Sequence, residues 1–279
     1  MRFTLKPQLV SMFCYCFLLL SLLGGCADAL VNRIAFHPAQ NAQSPLPVEP
    51  RVDEVFFNSL DGIRLQAFML GSNSESVILF LHGNAGSVSS RIPHARKLAD
   101  TGCNVLLLSY RGYGRSEGSA SEGGIYQDAR AALRYLKRQG FTNQNIFILG
   151  RSIGSAAAVE VAGDEQYAGV ILISPLSNGK DMARHLGYGP FSWLLGSPFD
   201  STGKISQIET PFLFIHGDSD QIIPIELGKK LFDACQSPHK VFKHVEGAGH
   251  NNLISVAGQQ YWDWILEFMR TTRGLQQFR

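Results

Sequence analysis

Ile146-Phe147-Ile148-Leu149-Gly150-Arg151-Ser152-Ile153-Gly154 decides how this chain is read. Four apolar residues make a short buried strand, GxSxG follows at once, and Ala156-Ala157-Ala158-Val159 continues as a helix. Small neighbours let the backbone turn sharply between strand and helix and leave a hydroxyl exposed there, so Ser152 is the candidate nucleophile. The blander reading is a glycine-flanked serine that caps a structural helix.

A serine hydroxyl needs a base, and the base needs an acid to fix its tautomer. Downstream, Pro211-Phe212-Leu213-Phe214-Ile215 reads as a second buried strand, left by the polar turn His216-Gly217-Asp218-Ser219-Asp220-Gln221-Ile222-Ile223-Pro224. Asp220 is the candidate acid. Asp218 is its rival, because either carboxylate could cap the helix that begins near Ile225. Val241 to Val245 reads as the last strand, and Glu246-Gly247-Ala248-Gly249-His250 sets His250, the candidate general base, on the glycine-rich turn beyond it. Of the other histidines, His244 lies inside that strand, while His82 and His216 end strands before a glycine and suit the holding of loops by hydrogen bonds. His37, His94, His185 and His239 are expected in surface or structural roles. No pair has metal-ligand spacing, and no metal or cofactor is expected.

Acyl transfer develops an oxyanion that backbone donors must meet. One donor is expected at the amide of Ile153, directly after the nucleophile. The other is expected in His82-Gly83-Asn84-Ala85-Gly86, the loop after the strand Val77 to Leu81, at Asn84 or else Gly83. Between these motifs stands Tyr110-Arg111-Gly112-Tyr113-Gly114-Arg115-Ser116-Glu117-Gly118. Glu117 occupies the third glycine of a dinucleotide fingerprint, so a loop shaping the site's rim is the better reading.

Taken together, HGNAG at 82–86, YRGYGRSEG at 110–118, GRSIG at 150–154, HGDSDQIIP at 216–224 and GAGH at 247–250 resemble the α/β-hydrolase superfamily. The likeness is narrower to its short-lid branch of serine aminopeptidase-like hydrolases, to which eukaryotic protein depalmitoylases also belong. It spans about Val52 to Met269 and implies an eight-stranded, mostly parallel sheet, Ser152 as nucleophile, Asp220 as acid and His250 as base. Ser109 and Asn251 depart from the family's usual aspartates, which bears on the loops and not on the triad.

At 279 residues, 45% hydrophobic and 17% charged, the chain has the means for one large core and is not a disordered polymer. A net charge of +2 without a basic tract excludes nucleic acid as an expected partner. Arg2 and Lys6 precede an apolar run from Leu9 to Leu23 that is short for a membrane span and suits a signal-peptide core. Leu23-Gly24-Gly25-Cys26 resembles a bacterial lipobox, which makes Cys26 the expected lipidation site of an exported lipoprotein. An uncleaved signal anchor is the alternative. Residues 27–50, rich in proline, alanine and glutamine from Asn32 onward, read as a tether. Cys103 and Cys235 are expected as packed, unpaired thiols, although an oxidising compartment makes a disulfide conceivable.

From residue 51 to 271 strands and helices alternate after an opening hairpin signalled by Asp61-Gly62, the pattern of an α/β domain with a mostly parallel sheet and helices on both faces. Trp262, Ile265, Leu266 and Met269 share one face of the last helix and are expected in the core. An insert at about 177–203 carries Leu186, Tyr188, Phe191, Trp193, Leu194, Leu195 and Phe199. It reads as a small lid offering an acyl slot, or equally as residues that only pack the lid down. The expected activity is hydrolysis of a small acyl ester or thioester through an acyl-enzyme at a membrane surface. A peptidase would need an acid in the lid for the substrate amine, Asp181 or Asp200, and a non-catalytic binding module would need none of this chemistry. Acyl length and oligomeric state have no signature in the sequence.

Overall fold

The most apolar runs of the chain lie at the centre of one sheet. The computed structural model describes residues 31–33, 35–38, 52–71, 74–189 and 196–276. Its strands are β1 (His37–Pro38), β2 (Val52–Asn58), β3 (Arg64–Leu70), β4 (Val77–Leu81), β5 (Ala85–Gly86), β6 (Asn104–Leu108), β7 (Ile146–Arg151), β8 (Gly169–Ile173), β9 (Phe212–Gly217) and β10 (Lys240–Val245). Eight of them form the main sheet in the order β10-β9-β8-β7-β4-β6-β3-β2. The pairs from β10 to β6 are all parallel, and only β3 with β6 and β2 with β3 run antiparallel.

Every residue of β4, β6, β8 and β9 is buried. Successive side chains of a strand point to opposite faces, so both faces of the sheet are covered, which is why residues 77–81, 105–108, 170–173 and 212–215 read as unbroken apolar runs. The outer strands β2 and β10 mix buried and exposed positions, as edges do. The opening hairpin is present but longer than a two-residue turn, because Asn58 pairs with Arg64. Asp61 is drawn instead to the guanidinium of Arg111, 2.8 Å away, and that bond helps pull its pKa down to about 2.

The helices are α1 (Ile92–Ala99), α2 (Glu122–Arg138), α3 (Gly154–Ala162), α4 (Gly179–His185), α5 (Ser201–Ile205), α6 (Ile225–Ala234), α7 (Leu253–Ala257) and α8 (Gln259–Gln276). On α8 the buried face is Tyr261, Ile265, Phe268 and Met269, while Trp262 is only half-buried. Trp262 stands edge-on to His94, whose ring accepts or donates a 3.1 Å bond with the Tyr261 hydroxyl. Cys103 and Cys235 are buried free thiols, and burial pushes both pKa values up.

Two expected segments look different in three dimensions. Within the stretch read as a tether, the described residues 31–33 and 35–38 lie on the domain: Phe36 is buried in the core cluster, and β1 pairs in parallel with β5. In the lid, Phe199 is buried edge-on to Phe36, which is the packing role, whereas Leu186 and Tyr188 are exposed. Phe191, Trp193, Leu194 and Leu195 lie outside the described residues, as do the leader and Cys26. Among the described residues no helix is long and apolar enough to cross a membrane.

Candidate active site

Strand β7 delivers Ser152 to the carboxyl edge of the sheet in a backbone conformation that serine rarely adopts, φ +54°. Its amide is held by the carbonyl of Ile173 at the end of β8, 2.9 Å away. The flanking glycines are required by contact. A Cβ on Gly150 would stand 2.6 Å from the Gly154 carbonyl oxygen, and one on Gly154 would stand 2.3 Å from that of Leu81. With both positions bare, α3 starts hard against β4 and β7, and the sharp turn is held on both sides. This is an elbow and not a capping serine, since no side-chain cap bond closes the start of α3.

The loop after β4 comes to the same point. A Cβ on Gly83 would lie 3.2 Å from the Ser152 Cβ, so the backbone of the HGNAG loop touches the elbow. His82 anchors that loop by an Nδ1 bond of 2.7 Å to the Gly83 carbonyl, with its ring between Tyr110 and Tyr113. Burial pushes its pKa down to about 4, so it is a neutral structural group at pH 7. Tyr113, from the YRGYG segment, donates its hydroxyl hydrogen to the Asn84 carbonyl over 2.6 Å. The rim loop is itself staked down by Arg111, whose amide and side chain both bind the fully buried Asp128.

The acid and base loops are laced together. A Cβ on Gly217 would strike the Ala248 carbonyl oxygen at 2.1 Å, and the Ser219 amide donates to that same carbonyl at 3.0 Å. His250 Nδ1 and Asp220 Oδ2 lie 2.7 Å apart with both groups buried. The other oxygen of Asp220 accepts from the amides of Ile222 and Ile223 at 3.0 and 2.8 Å. Desolvation, the largest influence on this carboxyl, pushes its pKa up, yet the bonds from His216, His250 and Ile223 together hold it well below the usual carboxylate range. An ionised carboxylate only accepts, so the proton on Nδ1 of His250 is fixed and Nε2 is left as the basic nitrogen.

Asp218 has other work. Exposed on the surface, it binds His244 Nε2 at 3.0 Å and the Gly247 amide at 2.8 Å. His244 is therefore a surface partner of the rival acid, and His216 holds the acid turn through the Ile223 carbonyl at 2.9 Å. Arg151 escaped sequence reasoning. Its guanidinium donates to the His250 carbonyl at 2.9 Å and so ties the base loop to the elbow. It occupies the variable position of GxSxG, where no residue pattern marks it. Among the described residues no group of histidine, cysteine, aspartate and glutamate could hold a metal ion.

The family model for serine aminopeptidases of the S33 class matches residues 72–202 and 200–255. The chain belongs to this α/β-hydrolase family. The hydrolase is 34% identical over 245 residues to an uncharacterized protein of Mycobacterium tuberculosis, covering 86% of each chain. It is 35% identical over 199 residues to the human alpha/beta hydrolase domain-containing protein 17B, covering 71% of the hydrolase and 67% of the human chain. In fold it is similar to an esterase of Pyrococcus furiosus, with a TM-score of 0.67 and 20% identity, covering 85% of the hydrolase and all of that chain. At that identity the likeness speaks for the shared architecture. The eight-stranded sheet and the order of motifs are those the family resemblance implied.

Proposed function

We propose that this hydrolase cleaves carboxylic esters or thioesters through an acyl-enzyme on Ser152. The observation that carries the reading is the buried 2.7 Å pairing of His250 with an ionised Asp220, laced to the elbow that presents Ser152. Ser152 Oγ attacks the acyl carbon as His250 Nε2 takes its proton. The carbonyl oxygen becomes an oxyanion held by the amides of Ile153 and Asn84. Collapse expels the alkoxide or thiolate, which takes the proton from His250. Water then repeats the sequence with the acyl group, and Ser152 regains its hydrogen.

The choice of ester over peptide rests on where the lid acids are engaged. Asp181 is bound by Ser177, Asn178, Arg184 and Lys230, and Asp200 caps α5 through the Gly203 amide. Asp181 is thus neutralised by two cations, and Asp200 is turned to the start of its own helix. Beside the acid turn, joined to it by the 3.1 Å contact of His185 with the Gln221 carbonyl, the lid instead presents the apolar Leu186 and Tyr188. A panel of p-nitrophenyl esters and acyl thioesters of increasing length, set against aminoacyl p-nitroanilides, tests this. Turnover should rise with acyl length among esters and stay near background for the anilides. Larger kcat/KM on the anilides rejects the reading.

Tethering at a membrane is part of the same proposal. Only residues 27–30 separate Cys26 from the docked Val31, a reach of under roughly 20 Å even when extended. A lipid on Cys26 would hold the domain close to the bilayer, with little slack. In a cell expressing the full chain, Cys26→Ala should move the protein from the membrane pellet to the soluble fraction. Retention of that variant in the pellet favours an uncleaved anchor, and a soluble wild type rejects tethering altogether.

A further inference from the structure

We propose that residues 31–33 and 35–38 are a positioning strap of the active site, holding the Asn84 peptide and the base of the lid in register with Ser152. The proposal rests on the acyl-transfer reading given above. Two contacts hold Asn84, and they meet at its side-chain oxygen, which also lies 3.5 Å from the Tyr113 hydroxyl. The backbone amide of His37 donates to the Asn84 side-chain oxygen at 2.7 Å, and Tyr113 donates to the Asn84 main-chain carbonyl at 2.6 Å. The Asn84 N–H shares its peptide with the Gly83 carbonyl, which His82 Nδ1 holds at 2.7 Å, and the His37 and Tyr113 bonds hold the side chain and carbonyl at the far end of that peptide. His82 anchors the start of this loop at the Gly83 carbonyl, and beyond it the loop runs to Gly86, whose φ is +92°, so the strap acts on the half that His82 does not hold.

The strap reaches the lid by a separate route. Asn32 accepts at its side-chain oxygen from the Glu122 amide, and the Glu122 carboxylate accepts from the Phe199 amide at 2.8 Å. Phe199 is held at φ +52°, an unfavourable conformation for a side-chain-bearing residue, and its ring meets the buried ring of Phe36 edge-on. Thus residues a few positions apart in the strap touch the oxyanion loop on one side and the lid base on the other. A two-residue parallel pairing such as β1 with β5 adds little to the sheet as a whole. Its effect is local, on the loop it grips. The side chain of His37 is exposed, so the group that matters there is its amide.

The amide can be removed with proline, which also fixes φ at that position and narrows the choices of Phe36 before it, so the Phe36→Ala variant is read beside it. His37→Pro deletes the donor to Asn84, whereas His37→Ala keeps it. In the full chain, with active sites counted by the burst on a p-nitrophenyl ester, His37→Pro should lower kcat about 10- to 100-fold while KM moves by less than about threefold, the size expected when one catalytic donor is misplaced. His37→Ala should restore the wild-type kcat. A folded His37→Pro protein with wild-type kcat overturns the strap, and so does a loss of kcat that His37→Ala shares in full. If the proline variant does not fold, Phe36→Ala decides by the same criterion, since it loosens the strap and leaves the amide in place. A wild type inert to esters and to a fluorophosphonate probe overturns the acyl-transfer reading, and the strap with it. Active wild type beside an unaffected proline variant overturns the strap alone.

Discussion

Replacing Ser152 by alanine should lower ester turnover by about 10⁵- to 10⁶-fold, leaving a residue of catalysis from the oxyanion donors and from binding. Among the described residues, no other hydroxyl at the elbow is free to take over the attack. The two neighbouring hydroxyls in the turn and its sheet edge are committed or enclosed: Ser155 Oγ accepts from the Leu176 amide, and Ser174 is wholly buried. Alanine occupies less space than serine and leaves the elbow's glycine contacts untouched, so the variant should fold like the wild type. A fluorophosphonate probe should label the wild type at Ser152 and leave the alanine variant unlabelled. Turnover within tenfold of wild type, measured on protein freed of host esterases, would sink the assignment of the nucleophile.

How much of this site could be read from the sequence depended on whether the signal was local. The elbow could, because strand, glycines, serine and helix follow one another and each glycine has a backbone carbonyl pressed against it. The central strands could, because burial on both faces leaves no position for a polar residue. The strap at 31–33 and 35–38 could not. Its proline- and alanine-rich surroundings read as a tether, and its hold on the domain comes from Phe36, the His37 amide and the Asn32 side chain, whose partners stand dozens of residues away. Arg151 and Tyr113 were hidden for the same reason, since the carbonyls they bind belong to His250 and Asn84 and carbonyls leave no trace in residue type. In the lid, composition announced apolar residues but not their directions: Phe199 turned inward to Phe36 while Leu186 and Tyr188 face solvent. Between Asp218 and Asp220 the residue types on one turn left a rival standing, and only the family pattern favoured Asp220; the structure separates them by burial and by the histidine that each meets.

That difference predicts a strong asymmetry between two conservative variants. Asp220→Asn should lower kcat by about 10⁴-fold, whereas Asp218→Asn should stay within about threefold of wild type. Asparagine at 220 can still offer a carbonyl oxygen to the Ile222 and Ile223 amides, so the acid turn keeps its shape. Its NH₂ then faces His250 and can only donate. Nδ1 of His250 must become the acceptor, the ring proton moves to Nε2, and the nitrogen that should take the proton of Ser152 is blocked. Stability follows the same carboxylate with a definite sign. Because the folded pKa of Asp220 is depressed, its ionised form contributes stability throughout the range above the ordinary carboxylate pKa, and that contribution is lost only as pH falls towards the folded value in strong acid. The wild type should accordingly keep Asp220 charged throughout the neutral and mildly acidic range. Asp218, exposed and bound to His244, has no route to the elbow, so removing its charge disturbs a surface pair and one turn amide. Equal losses in the two variants, or the larger loss at Asp218, would transfer the acid's role and break the pairing on which the proposed chemistry stands.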